Sequence, residues 1–355
     1  MTPAKGRTAT TPTATETTST PLLSGGAVAA RWRQFTSGNT LWIFLVLVAI
    51  CVVFTIMKPH AFATAFEART VASNAAVLLV LAVGQTFVII TAGIDLSVGS
   101  ILVFSGIAAA EAMHAGGAGS VNAGWGTILW GLVAALGAGL AWGLVNGFLV
   151  TKAKVPPLIV TLGVLGAALG FCYIITHGQD LRGIPQRLST NIGYGRIFGI
   201  PWMIVIAAVV TAVCAVVLNM TKFGRYTFAI GSNAEAVRRA GINVDRHLMK
   251  VYGLQGFLAG LAGFLALAFY NTTTISGHSS DNLNAIAAVV IGGTSLFGGR
   301  GTVVGTTIGV FIPAVLASGF VIVGVQSYWQ DVAVGAVLIL AVYIDQLRRN
   351  SREHQ

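Results

Sequence analysis

Ten apolar runs dominate this chain, at roughly 41–57, 72–92, 96–114, 126–150, 158–176, 202–220, 250–270, 283–298, 302–322 and 329–346. A helix needs about 20 apolar residues to cross the hydrocarbon core of a bilayer. Inside that core every backbone N–H and C=O must find its partner within the protein, so runs of this length span the membrane as helices. The expected fold is all-α: a polytopic transmembrane helical bundle of about ten helices. The eighth run is short, and a polar break sits between the second and third with almost no loop. One or two helices are therefore expected to be broken or re-entrant.

Composition and charge agree with this. Charged residues make up 9% of the chain and hydrophobic ones 55%, against about 25% charged in a soluble domain. The formal charge of +10 raises the question of nucleic acid. The basic residues sit between apolar runs rather than on one polar segment, so no nucleic-acid partner is expected, only membrane lipid. With the N-terminus in the cytoplasm, sixteen of the 21 Lys and Arg fall on the cytoplasmic side and five outside. That bias places both termini inside.

Residues 1–40 read as a disordered cytoplasmic tail, because nine of the first twenty are Thr and no core-forming period is present. The membrane domain occupies 41–346 and a short cytoplasmic tail 347–355. Cys51, Cys172 and Cys214 lie singly in apolar runs, and the six His form no HExxH pair. Neither a metal nor a cofactor is expected. GxxxxGK[ST] and GxSxG are both absent, so the chain is read as having no catalytic residues and no nucleotide site of its own.

Several motifs interrupt the apolar pattern. Gly93-Ile94-Asp95-Leu96-Ser97-Val98-Gly99 puts a carboxylate at bilayer depth, where a charge costs roughly 3 kcal/mol. Asp95 and Ser97 precede a helical run, so their oxygens are placed to accept from free N–H groups at its start. A capped helix break is the simpler reading, and a polar passage at a discontinuous helix the sharper one. Residues 291–301 carry five glycines and echo this break in the second half of the chain; a tight turn is the plain alternative. Gln85, Asn74, Asn146 and Gln255 sit in or near spans and suit interhelical hydrogen bonds or a polar path. Gly139, Gly143 and Gly147, and again Gly301, Gly305 and Gly309, form flat ridges for close helix packing, within one bundle or between subunits.

The largest polar interruption is the loop 220–249. Within it Asn233 suits an N-cap, Ala234 to Ala240 a short helix, and Gly241 the residue that ends it. Glu235 near the helix start and Arg238 and Arg239 near its end complement the dipole. The element is either a solvated loop helix or a docking element.

Taken in order, these segments resemble the permease subunits of bacterial ATP-binding-cassette importers for simple sugars, of the ribose, xylose, arabinose and galactose type. The resemblance rests on Gly93 to Gly99, Asn146-Gly147, Val155-Pro156-Pro157 through Gly163, Gly224 to Ile242, Ile291 to Gly305 and Tyr328-Trp329-Gln330, spanning about Asn74 to Asp345. It implies a multi-pass permease of the bacterial plasma membrane, working as a homodimer or a pseudo-symmetric heterodimer. It implies a cytoplasmic ATP-binding subunit and an extracytoplasmic sugar-binding protein as partners. By the same resemblance Gly231, Asn233, Glu235, Ala236 and Gly241 dock on the ATPase. Asp95, Ser97, Gly93, Gly99, Gln85, Asn74 and Asn146 are the expected substrate path. An ion-coupled secondary transporter is one rival reading. An importer permease of the same fold for another small cargo (a nucleoside, branched-chain amino acid, inositol or furanone signal) is the other.

Overall fold

The computed structural model describes residues 38–118, 122–278, 280–326 and 328–353. Residues 1–37 of the Thr-rich tail lie outside them. The long helices are α1 (Gly38–Met57), α2 (Ala65–Ile90), α3 (Val98–Met113), α4 (Trp125–Thr151), α5 (Pro157–Thr176), α6 (Trp202–Met220), α7 (Lys222–Arg239), α8 (Val244–Tyr270), α9 (Asp281–Ile291), α10 (Val303–Val323) and α11 (Tyr328–Glu353). Among the described residues seven of these are long and apolar enough to cross a membrane, and three more, in α1, α9 and α11, are shorter and apolar. A two-residue hairpin, Arg196–Ile197 with Ile200–Pro201, is the one departure from an all-helical fold among the described residues.

Helix boundaries follow their caps more than their hydropathy. α2 begins ahead of its apolar run because Thr64 accepts from the Glu67 N–H at 3.1 Å, as a Thr-x-x-Glu start favours. The Glu67 carboxylate does not fold back on Thr64. It accepts instead from Ser318 Oγ on α10. α8 likewise begins at Val244, where Asn243 caps it by accepting from Arg246 N–H at 2.9 Å. At the other end α11 continues to Glu353, so most of the segment expected as a tail at 347–355 is helical.

The bundle has an inner and an outer layer. α2 and α8 are 89% and 83% buried over their apolar windows, while α4, α5 and α6 are 28% or less. The outer helices keep large apolar side chains exposed, including Trp130, Ile159 and Val209, as a lipid-facing layer requires.

Glycine joins the layers. A Cβ on Gly139 would strike Gly256 O and Gly260, one on Gly143 would strike Tyr252 O and Gly256, and one on Gly147 would lie 3.0 Å from Met249 Cα. Gly256 and Gly260 answer from α8, so two backbones touch. The second ridge does the same against α9, with Gly305 on Gly292 and Gly309 on Ala288. Both ridges are thus packing within one bundle.

Two spans are discontinuous. The eighth is short because only its lower part is the helix α9; residues 271–278 and Ser280 ahead of it are non-helical. This segment is fastened to the outer loop through Thr273 N–H to Leu181 O at 3.1 Å and Leu181 N–H to Thr273 Oγ1 at 2.8 Å. It then descends along α3 until His278 O and Asn282 N lie 3.1 and 3.4 Å from where a Gly99 Cβ would be. α3 is the complementary half, preceded by the non-helical stretch Thr91–Ser97. Its Leu102 and Gly106 lie against Gly263, about 9 Å outward of the middle of α8. Gly99 therefore lies close to mid-depth. The N-termini of α3 and α9 meet there, one helix running outward and the other inward.

The loop expected at 220–249 is mostly helix. Lys222–Arg239 is two helices joined at a kink, where Asn233 is non-helical (φ −161°, ψ 94°), and α8 starts at Val244. The first half binds the bundle through Thr227 Oγ1 and His247 Nε2, 2.9 Å apart, both buried.

The α4–α8 contact makes a paired prediction. Gly256→Leu should destabilise the purified protein by about 1–3 kcal/mol or more through overpacking. Gly137→Leu, with open space beyond Gly137, should leave thermal unfolding in detergent unchanged.

Candidate functional site

The sequence path residues converge on the break between α2 and α3. Ala92 turns the chain with φ +61°, and Gly93 then packs so that a Cβ would come 2.8 Å from Tyr252 Oη. Asp95 is fully buried. Its Oδ1 accepts from Ser97 N–H at 2.8 Å and Ser97 Oγ–H at 2.5 Å. Asn146 Nδ2 on α4 donates to Ser97 Oγ at 2.8 Å. Ser97 thus makes no side-chain cap on α3, unlike the expectation; its hydroxyl is spent between Asp95 and Asn146. The carboxylate holds the N–H at the helix entrance, as the positive end of α3 favours.

Carbonyls at and just ahead of the break take partners from several neighbouring segments. Thr161 Oγ1 of α5 reaches Ile94 O at 3.2 Å, Asn282 Nδ2 of α9 donates to Leu96 O at 3.3 Å, and Gly299 N–H donates to Ile90 O at 2.8 Å. Across the meeting point His278 Nδ1 and Asp281 Oδ2 pair at 2.7 Å, so an acidic side chain stands at each half-helix N-terminus.

Gln85, Gln255 and Asn146 are fully buried near this network. Asn74 is not: it lies exposed on the outer half of α2. The structure therefore brings Gly93, Asp95, Ser97, Gly99, Asn146 and Gln85 into one region and leaves Asn74 out. Tyr252, His278, Asp281 and Asn282 belong to it and were missed. The signal for the last three was the shortness of the eighth run, which implied that polar residues just before it lie within the membrane.

On the expected cytoplasmic side Asn233 Oδ1 accepts from Ala236 N–H at 2.9 Å. Gly241, at φ +80°, closes the helix with Gly241 N–H to Arg238 O at 2.9 Å and Ile242 N–H to Val237 O at 3.3 Å, the paired bonds of a Schellman ending. Asn233, Glu235, Ala236 and Gly241 are exposed, whereas Gly231 is half-buried and faces the bundle. Asp245 anchors the element by pairing with Lys154 at 3.0 Å and Arg238 at 3.1 Å.

Residues 68–342 match the family described as branched-chain amino acid transport system / permease component. This chain belongs to that family. The permease is 37% identical to the ribose import permease protein of Escherichia coli K12 over 314 residues, 88% of this chain and 94% of that one. It is 33% identical to the fructose import permease protein of Rhizobium meliloti, covering 85% and 84% of the two chains. With the autoinducer 2 import system permease protein of Yersinia enterocolitica the identity is 35%, over 80% and 77%. No solved structure matches the chain. The permease is thus a polytopic membrane protein of a transport family. Among its described residues no group of three or more His, Cys, Asp or Glu is placed to hold a metal.

The Gly93 contact is testable by a cycle. Gly93→Ala should cost about 1–3 kcal/mol in thermal unfolding. Tyr252→Phe, which removes the hydroxyl in the way, should restore part of it in the double variant.

Proposed function

We propose that this permease forms the membrane path of an ATP-driven, binding-protein-dependent importer and passes a monosaccharide by alternating access. The observation that carries the reading is the match, across most of both chains, to import permeases named for ribose and fructose. The structure supports it in two places. An exposed, well-capped helix stands on the expected cytoplasmic side with Asn233, Glu235, Ala236 and Gly241 outward, suited to a separate ATP-binding subunit. Around the α2–α3 break, Gln85, Asp95, Asn146, Tyr252 and Gln255 hold seven buried side-chain polar atoms with no partner among the described residues.

Each such atom costs about 1–3 kcal/mol when left unpaired. An arrangement that exposes them to sugar hydroxyls offsets that cost, so we place the cargo path beside Asp95, Ser97, Asn146 and Gln85, flanked by Gly93 and Gly99. The exposed Asn74 lies farther out on the same helix, toward the side where an extracytoplasmic binding protein would deliver cargo. Two copies of the chain, or this chain with a close relative, would enclose the path.

The test is uptake by vesicles holding the permease with its ATPase and binding protein. Labelled ribose, fructose and leucine serve as probes. Uptake of a sugar that needs ATP and resists a protonophore is the expected result. Uptake of leucine alone would replace the cargo, and uptake stopped by the protonophore without need of ATP would replace the mechanism. Asp95→Ala should lower sugar uptake about tenfold or more while insertion and ATPase recruitment persist.

A further inference from the structure

One constellation on the expected cytoplasmic side is used by neither the path nor the docking face. Three separate backbones meet there, with only the small side chains of Ala92 and Ser232 beside them. The first is the end of α2, Ile90 to Ala92, which leads into the Asp95 break. The second is the elbow of α7 at Gly231 and Ser232, one residue before the Asn233 kink. The third is the turn at 295–300, which joins α9 to α10 and is closed by Gly298 N–H to Ser295 O and Ser295 N–H to Arg300 O, both 3.1 Å.

A Cβ on Gly231 would fall on Ile90 O and 2.6 Å from Gly299 N. One on Gly298 would lie 2.8 Å from Ala92 Cβ and 2.9 Å from Gly231 O, and one on Gly299 would lie 2.6 Å from Ser232 Oγ. Gly298 and Gly299 both have positive φ, +82° and +72°, so the turn needs glycine for its shape as well as its thinness. A hydrogen bond fastens the contact. Ile90 O, the last carbonyl of α2, has no helical N–H of its own and accepts from Gly299 N–H at 2.8 Å.

From this geometry we propose that Gly231, Gly298 and Gly299 are positioning residues for transport. They form a rigid junction through which movement of the α7 elbow shifts the Asp95 break and the α9–α10 turn together. The proposal rests on the ATP-driven reading above. It also separates Gly231 from the docking residues, because Gly231 faces the bundle while Asn233, Glu235 and Ala236 face outward. Tight backbone contact has no slack for a flexible side chain to absorb, so displacement on one side is passed to the other two. Both receiving segments lead to mid-depth, one through Thr91–Ser97 to α3 and the other along α9 to Asn282. The two half-helix N-termini would thus move as a pair.

The test is cargo-independent. The permease–ATPase complex in nanodiscs is followed by hydrogen exchange with and without a non-hydrolysable ATP analogue. In the wild type, exchange should change by about fivefold or more in both 91–97 and 292–300. In Gly231→Ala the ATPase should remain bound and its own nucleotide response should persist, while both membrane segments fall silent. Glu235→Arg, on the outward face, should instead release the ATPase. Wild-type segments that stay silent with ATPase and nucleotide bound overturn the junction, whatever the variant does. So does a normal response in Gly231→Ala, or loss of the ATPase from that variant. A permease that recruits no ATPase overturns the functional reading and the junction's role with it.

Discussion

The hydrocarbon core holds no water, so a helix that breaks inside it must find every hydrogen bond within the protein. The rest of this structure is arranged around two such breaks. Thr91–Ser97 takes partners from Thr161, Asn282 and its own Asp95, and Gly299 closes the carbonyl of Ile90 just ahead of it; Thr273 and Ile275 take theirs from Leu181 and Asp180. These partners come from α5, α9, the outer loop and the turn before α10. Sealing the breaks therefore fixes the relative positions of helices that glycine packing alone would leave free to slide.

The two breaks also solve each other electrostatically. α3 and α9 present positive dipole ends to the same point, which by itself is repulsive. Asp95 below and Asp281 above supply the negative charge, the first holding the N–H at the entrance to α3, the second paired to His278. A mid-depth carboxylate is costly when isolated, but here its position at a helix N-terminus accounts for it. The capped-break reading and the path reading thus describe the same atoms. The cap explains why Asp95 Oδ1 is bonded, and the unpaired Oδ2 is what the path reading uses.

The membrane fold was legible because lipid imposes one length and one period on every span. The α7 cap was legible too, since Asn233 and Gly241 carry local chemistry that works whatever surrounds them. What could not be read were contacts between segments far apart in the chain. The glycines at 291–301 were matched to 93–99 by composition, yet they form a tight turn after α9, and what Gly99 meets is the start of α9, at His278 and Asn282. That segment is polar and looks like an ordinary loop; only the depth of Gly99 against α8 reveals that it lies inside the bundle. Asn74 and Gln85 were indistinguishable in sequence, both amides on α2, because exposure depends on where neighbouring helices stop. Likewise the sequence does not show that Gly231, one of the expected docking residues, has its missing Cβ filled by Ile90 O on the bundle side.

Two kinds of contact hold the α7 elbow, and their magnitudes differ in a way that bears on mechanism. Asp245 with Lys154 and Arg238 is a solvent-exposed ion cluster, and such pairs are worth about 0–1 kcal/mol each and weaken with salt. They can orient the helix between α4 and α8 but yield readily. The glycine contact with Ile90 and Gly299 and the buried Thr227–His247 bond have no comparable freedom, because an overlap of even one methyl group costs about 1–3 kcal/mol. The element is thus held loosely by its charges and tightly by its backbone. The tight contact is at Gly231, beside Ile90 O and Gly299 N, while Glu235 and Ala236 lie exposed on the other face; in the junction proposed above, that tight contact is the part able to pass a displacement inward.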